Sequence, residues 1–211
     1  KEMDLIRQDV AARSALLRDS PAFFGWYVPH EIYFWPRKGK EDVYIRGVYS
    51  AAIQACHAAT PGKPVTVSPF FILDRTKTFG DFYVPSPEEY LDYWASLLKE
   101  APFDIVMLQD SGEHFAWVTD DQRRPYLKAM RDACRKSGSR FWGNVECAEM
   151  NFASIEDYIR VNGRVHHGQA KEPRWRPVPM GRFVSKLRTA AEFTDQFVTW
   201  GYMEFCRPSL S

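Results

Sequence analysis

The sequence predicts an α/β chain built on a parallel sheet, and three observations carry that prediction. First, five apolar runs each hold a polar group at or near the end: FFGWYVPHE with Glu31, VTVSPFF with Ser68, DIVMLQDSG with Gln109 and Asp110, RFWGNVE with Glu146, and FVTWGYMEF with Glu204. Buried parallel strands read as near-continuous apolar runs, and in α/β folds their carboxyl ends carry the chemistry. Second, helix-like segments separate the runs, which implies right-handed crossovers between parallel neighbours. Third, polar groups stand at every strand end. That favours a (β/α)8 barrel, where all strands reach one site, over a doubly wound sheet, where ligands gather at one switch point. Five units do not close eight strands. The expectation is therefore one domain over residues 1–211, a partial (β/α)8 TIM barrel holding strands four to eight, with the N-terminal strands missing. No GxGxxG follows a strand and no GxxxxGK[ST] occurs, so dinucleotide-binding and P-loop domains are disfavoured.

The elements follow in order. Residues 3–19 form an amphipathic helix with Leu5, Ile6, Val10, Ala12, Leu16 and Leu17 on or near one face. The first strand is 23–30, and an Ala-rich helix at 41–59 is closed by PGKP. The second strand is 65–71. Ser86 then caps a helix with Pro87 in its first turn, followed by Glu88 and Glu89. The third strand is 104–109. Thr119 caps the next helix with Gln122 at the capping-box position, and Lys136-Ser137-Gly138 ends it. The fourth strand is 140–146, an irregular basic stretch covers 149–180, a short helix spans 182–191, and the last strand is 195–205.

Composition narrows the function classes. Twenty-eight basic against 27 acidic side chains leave a net charge of +1, which argues against an electrostatic nucleic-acid binder. No apolar run reaches transmembrane length. No signal peptide is visible, but Lys1 opens inside a helical pattern, so the compartment stays open, the periplasm or cell exterior included. The four cysteines lack CxxC spacing, so no zinc site and no cofactor are expected. Cys147 and Cys206 follow two strand ends, where a disulfide is geometrically possible. Oligomeric state is not legible.

Residues two apart on a strand share a face. Glu146, Asn144 and Trp142 therefore point together, as do Glu204, Tyr202 and Trp200, while Glu31 shares a face with Tyr27. Acids and aromatics lining one mouth make a sugar-binding constellation, because two facing carboxyls can divide acid and base roles and aromatic rings stack on sugar faces. The plainer alternatives are commoner residue by residue. Most Trp side chains fill cores. Most strand-end acids pair with a cation or cap a helix. His166 and His167 read as solvated loop residues, His57 as structural, and Glu113 and Glu149 as surface acids. Arg174 and Arg176 are expected to be solvated, with contact to an acidic sugar as the other option.

The segments GWYVPHE (25–31), SPFF (68–71), DIVMLQDSG (104–112), WGNVE (142–146) and WGYMEF (200–205) resemble the bacterial family of unknown function DUF4434. That resemblance implies a glycoside-hydrolase-like TIM barrel and a carbohydrate partner. By further similarity to retaining glycosidases on (β/α)8 barrels, Glu31 at strand four would be the acid/base and Glu146 at strand seven the nucleophile, with Glu204 a competing carboxylate. Trp26, Tyr27, Gln109, Asp110, Trp142, Asn144, Trp200, Tyr202 and Glu204 would contact substrate. The implied activity is hydrolysis of a glycosidic bond through two carboxyls. The alternative is a carbohydrate-binding or interaction domain without catalysis.

Overall fold

The computed structural model describes residues 2–34, 39–78, 80–111, 116–164, 171, 172, 174–194 and 196–206; of Tyr202 and Met203 only the backbone is described. Five strands form one parallel sheet: β1 (Trp26–Val28), β2 (Val65–Val67), β3 (Ile105–Gln109), β4 (Arg140–Asn144) and β7 (Phe197–Val198). Their spatial order is their chain order, so the sheet has no point where the winding reverses. Helices α1 (Glu2–Leu17), α2 (Lys40–Ala59), α3 (Pro87–Glu100), α4 (Asp120–Ser137) and α6 (Met180–Ala191) alternate with these strands.

Local chemistry sets the helix starts. The Ser86 hydroxyl accepts from the Glu89 amide while the Glu89 carboxylate accepts from the Ser86 amide. Thr119 and Gln122 build the same reciprocal cap on α4, and Gly138 closes that helix in the left-handed conformation. Each cap satisfies amides or carbonyls that the helix leaves orphaned.

The core lies between the sheet and its helices. Val28, Val67, Val106 and Leu108 face Tyr90, Trp94, Leu97, Leu98 and Met130, all buried. Phe71 stacks on Tyr126 at 5.3 Å and meets Tyr90 edge-on. Trp26 also belongs to this side, with its indole N–H donated to the Thr60 hydroxyl at 2.7 Å. Gly25 permits the entry to β1, since a Cβ there would stand 2.3 Å from the Pro64 carbonyl.

Several expectations need correction. The first helix buries only Val10 and Ser14 with Ile6 half-buried, whereas Leu5 and Leu16 are exposed. Among the described residues it packs mainly on α2, which covers a narrow stripe and not a wide apolar face. The strands are shorter than their apolar runs, because proline and polar turns end the pairing. Residues 149–180 are not irregular throughout. They hold α5 (Ile155–Asn162), capped by Ser154, and an antiparallel pair of β5 (Ala148–Met150) with β6 (Trp175–Pro177). The last run pairs with β4 only at Phe197 and Val198. Gly201 then turns the chain in the left-handed region, at φ 74°, into a π-helical turn, Tyr202–Cys206. Glu204 is therefore exposed on that turn and not on a strand.

Among the described residues no helix is long and apolar enough to cross a membrane.

Candidate functional site

At the carboxyl edge of the sheet, on the face away from the helices, Tyr27, Glu31, Ser68, Gln109, Asn144 and Trp200 line a cleft of about 480 Å³. That volume falls in the range of small-molecule sites. Tyr27 is the β1 residue that alternation turns away from Trp26 and Val28, and Gln109 and Asn144 end β3 and β4 in register. Glu31 lies three residues beyond β1, where pairing has stopped and the chain is free to turn the carboxylate into the cleft.

The polar groups are linked. The Tyr27 hydroxyl donates to Glu31 Oε1, and Gln109 Nε2 donates to Glu31 Oε2 at 2.9 Å. Gln109 Nε2 also donates to the Ser68 carbonyl at 2.9 Å. Asn144 Nδ2 donates to Ser68 Oγ at 3.0 Å, and that hydroxyl donates to the Met107 carbonyl at 2.7 Å. Both Glu31 oxygens thus accept hydrogen bonds while the side chain stays exposed. Partial burial, reinforced by the Glu31 contact, pushes the Tyr27 phenol up, so it remains a donor across the neutral range.

Glu146 takes a different position. It is 2% exposed and its side chain hydrogen-bonds Asp110, behind the cleft. Lys186 on α6 reaches Asp110 Oδ2 at 3.0 Å and the Glu146 carbonyl at 2.5 Å. Arg123 Nε donates to the Asp110 carbonyl at 2.8 Å. Burial would raise the Asp110 pKa. The charges of Lys186 and Arg123 and the hydrogen bonds from Glu146 and Lys186 outweigh it and hold the group below the usual carboxylate range.

The expected substrate contacts therefore divide. Tyr27, Gln109, Asn144 and Trp200 line the cleft with Glu31. Trp26 is turned into the core, as its Thr60 hydrogen bond requires. Trp142 sits deeper on the cleft-side face, 6.2 Å from Phe24 and under the Arg140 guanidinium. Asp110 and Glu146 are buried together, and Glu204 is held off the sheet by the turn at Gly201. The Tyr202 side chain, Glu113, His166 and His167 lie outside the described residues. Cys147 and Cys206 are free thiols in side-chain contact, and Cys147 donates to the Trp200 carbonyl at 2.7 Å.

Sequence reasoning missed the charged cluster around Asp110. Glu149, expected on the surface, is fully buried on β5, where Arg176 Nη2 meets Oε1 at 2.7 Å and Arg182 Nε meets Oε2 at 3.3 Å. Arg174 pairs with Glu172. Alternation along β5 gives no signal for Glu149, because all three of its residues are buried. Arg123 and Lys186 look like surface charges on any helical pattern. Among the described residues no group of three His, Cys, Asp or Glu side chains is placed to hold a metal ion.

Comparison with known proteins adds a family and a fold. Residues 8–210 match the domain of unknown function DUF4434. Among curated proteins, none matches the chain. A crystal structure described as "a putative alpha-L-fucosidase" from Bacteroides thetaiotaomicron superposes with a TM-score of 0.69 at 19% identity. The match covers 97% of this chain and 54% of the other, so this chain spans about half the length of that protein. At such identity the likeness is one of fold.

Proposed function

The chain belongs to the DUF4434 family of domains of unknown function, and on that footing we propose that it acts on carbohydrate as part of a glycoside hydrolase. The carrying observation is the cleft itself: an exposed carboxylate, Glu31, held at both oxygens by Tyr27 and Gln109, beside an amide and an indole. Amides and carboxylates match sugar hydroxyls, and an aromatic ring matches a sugar face. The proposal includes a (β/α)8 barrel, supported by parallel strands in unbroken chain order with helices between them.

In the proposed reaction two carboxyls cleave the glycosidic bond with retention. Glu31 gives a proton to the leaving oxygen as the bond to the anomeric carbon breaks. Glu146 attacks that carbon and forms a glycosyl ester. Water, deprotonated by Glu31, then releases the sugar and restores both carboxyls. Asn144 binds the hydroxyl next to the anomeric carbon, and Tyr27 and Gln109 orient Glu31. Attack requires the Glu146 carboxyl to leave Asp110 and turn into the cleft beside Asn144.

The burial of Glu146 favours a second reading, a carbohydrate-binding domain without catalysis, in which Glu31 only accepts hydrogen bonds from sugar. Turnover of a broad glycan panel by the full-length protein, wild type beside Glu146→Gln, separates them. Release of product that vanishes in the variant supports hydrolysis with Glu146 as nucleophile. Binding without turnover supports the second reading, and turnover that survives in the variant removes Glu146 from the mechanism.

A further inference from the structure

A second cavity of about 470 Å³ opens on the same edge of the fold, between the first turns of α4 and α6 and the β5–β6 pair. Its lining includes Arg123, Arg176, Arg182, Asp120, Trp117 and Phe152. It adjoins the cleft through one peptide link, since Gln109 lines the cleft and the Asp110 carbonyl holds Arg123.

The guanidinium groups are not equally occupied. Arg176 gives Nε and Nη2 to Glu149 and Nη1 to Asn151. Arg123 gives Nε to the Asp110 carbonyl and Nη1 to Asp120. Arg182 engages only Nε, at 3.3 Å from Glu149, and its side chain is 32% exposed. Its two terminal nitrogens have no hydrogen-bond partner among the described residues, and Arg182 lines the cavity. They form the planar fork that fits a carboxylate or sulfate.

Arg123, Arg176, Arg182 and Lys186 stand with the carboxyls of Asp110, Asp120, Glu146 and Glu149, and of the three guanidinium groups Arg182 is the one held, among the described residues, through Nε alone.

We infer that this cavity is a subsite for an anionic substituent of a glycan, a carboxylate or sulfate ester, received by Arg182 with the sugar ring against Trp117. This rests on the carbohydrate reading of the neighbouring cleft and adds a substrate class to it. A neutral hydroxyl also accepts from the fork, but a carboxylate or sulfate takes both of its N–H groups in a bidentate pair of opposite charge. Trp117, half-buried in the cavity wall, supplies an apolar face that a free inorganic anion would not need.

The test is equilibrium binding to the full-length protein of three probes: a glucuronate-containing oligosaccharide, its carboxyl-reduced neutral form, and that neutral form bearing a sulfate ester. One charge-assisted fork contact predicts at least about tenfold tighter binding of an acidic probe than of the neutral one. Arg182→Gln should abolish that preference, so that acidic and neutral probes bind equally. Arg182→Lys, which keeps a cation beside Glu149, should retain part of it and guards against a folding defect. The uronate and sulfate arms separately show which anion fits. Equal binding of acidic and neutral probes would overturn the inference while leaving the carbohydrate reading intact. A preference that survives in Arg182→Gln would overturn the role of Arg182. Binding of no probe would overturn both.

Discussion

Lys186 is the group whose removal tests the buried cluster behind the cleft. Its ammonium lies 3.0 Å from Asp110 Oδ2, and the two side chains are 1% and 5% exposed. Lys186→Met keeps the aliphatic stem and deletes the charge, so Asp110 is left as a buried carboxylate with Arg123 as its remaining cation. Breaking a buried pair in this way costs about 3–5 kcal/mol, because the penalty is the stranded charge and not the lost bond. For a chain of this size that lowers Tm by about 6–20 °C. The pH dependence has a definite sign. The folded Asp110 carboxyl is held below its ordinary value, so its stabilising effect is present above the unfolded carboxylate pKa of about 3.9 and is lost as pH falls through the lower folded value. In the variant nothing from Lys186 holds it down, the carboxyl protonates at higher pH, and the mutational penalty shrinks as pH falls toward 4. Urea unfolding followed by tryptophan fluorescence at several pH values reads both effects. The double variant Lys186→Met/Asp110→Leu should regain most of the loss. A penalty under about 1 kcal/mol at pH 7, or one that does not change with pH, would refute the reasoning.

Other perturbations probe separate links. Thr60→Val removes the acceptor of the buried Trp26 indole N–H and should cost about 1–3 kcal/mol by chemical unfolding. Ser86→Ala deletes the α3 capping box and should cost about 1 kcal/mol in the same assay, with Ser86→Gly losing less. Gly25→Ala places a Cβ 2.3 Å from backbone oxygen, which cannot swing aside, and should destabilise by at least about 1–3 kcal/mol.

Fold class was legible because it rests on patterns of period and punctuation. Apolar runs with polar ends located β1 through β4, and the caps at Ser86 and Thr119 marked helix starts that the structure repeats. What was lost depended on tertiary context. The run 195–205 is apolar enough for a strand, yet the left-handed Gly201 ends it, and composition does not say which glycine will turn. The pair β5–β6 joins segments about 27 residues apart, for which local sequence holds no register signal. For the site, alternation put Tyr27 with Glu31 and Asn144 with Trp142, and the structure sets Tyr27, Glu31, Gln109 and Asn144 along one cleft. Alternation failed at Glu146 because β4 ends at Asn144, and beyond a strand end the period of two no longer governs direction. The buried charges at Arg123, Glu149 and Lys186 were invisible, since a charged residue declares its burial only through partners distant in sequence.

The most direct test of the central claim is the turnover of a cleaved glycan by the full-length protein carrying Glu31→Gln, which keeps the shape and an acceptor but removes the acid. The account predicts a fall in kcat of about 10²–10⁴-fold with KM little changed, as for loss of a general acid/base. A kcat equal to wild type would contradict it and take Glu31 out of the chemistry.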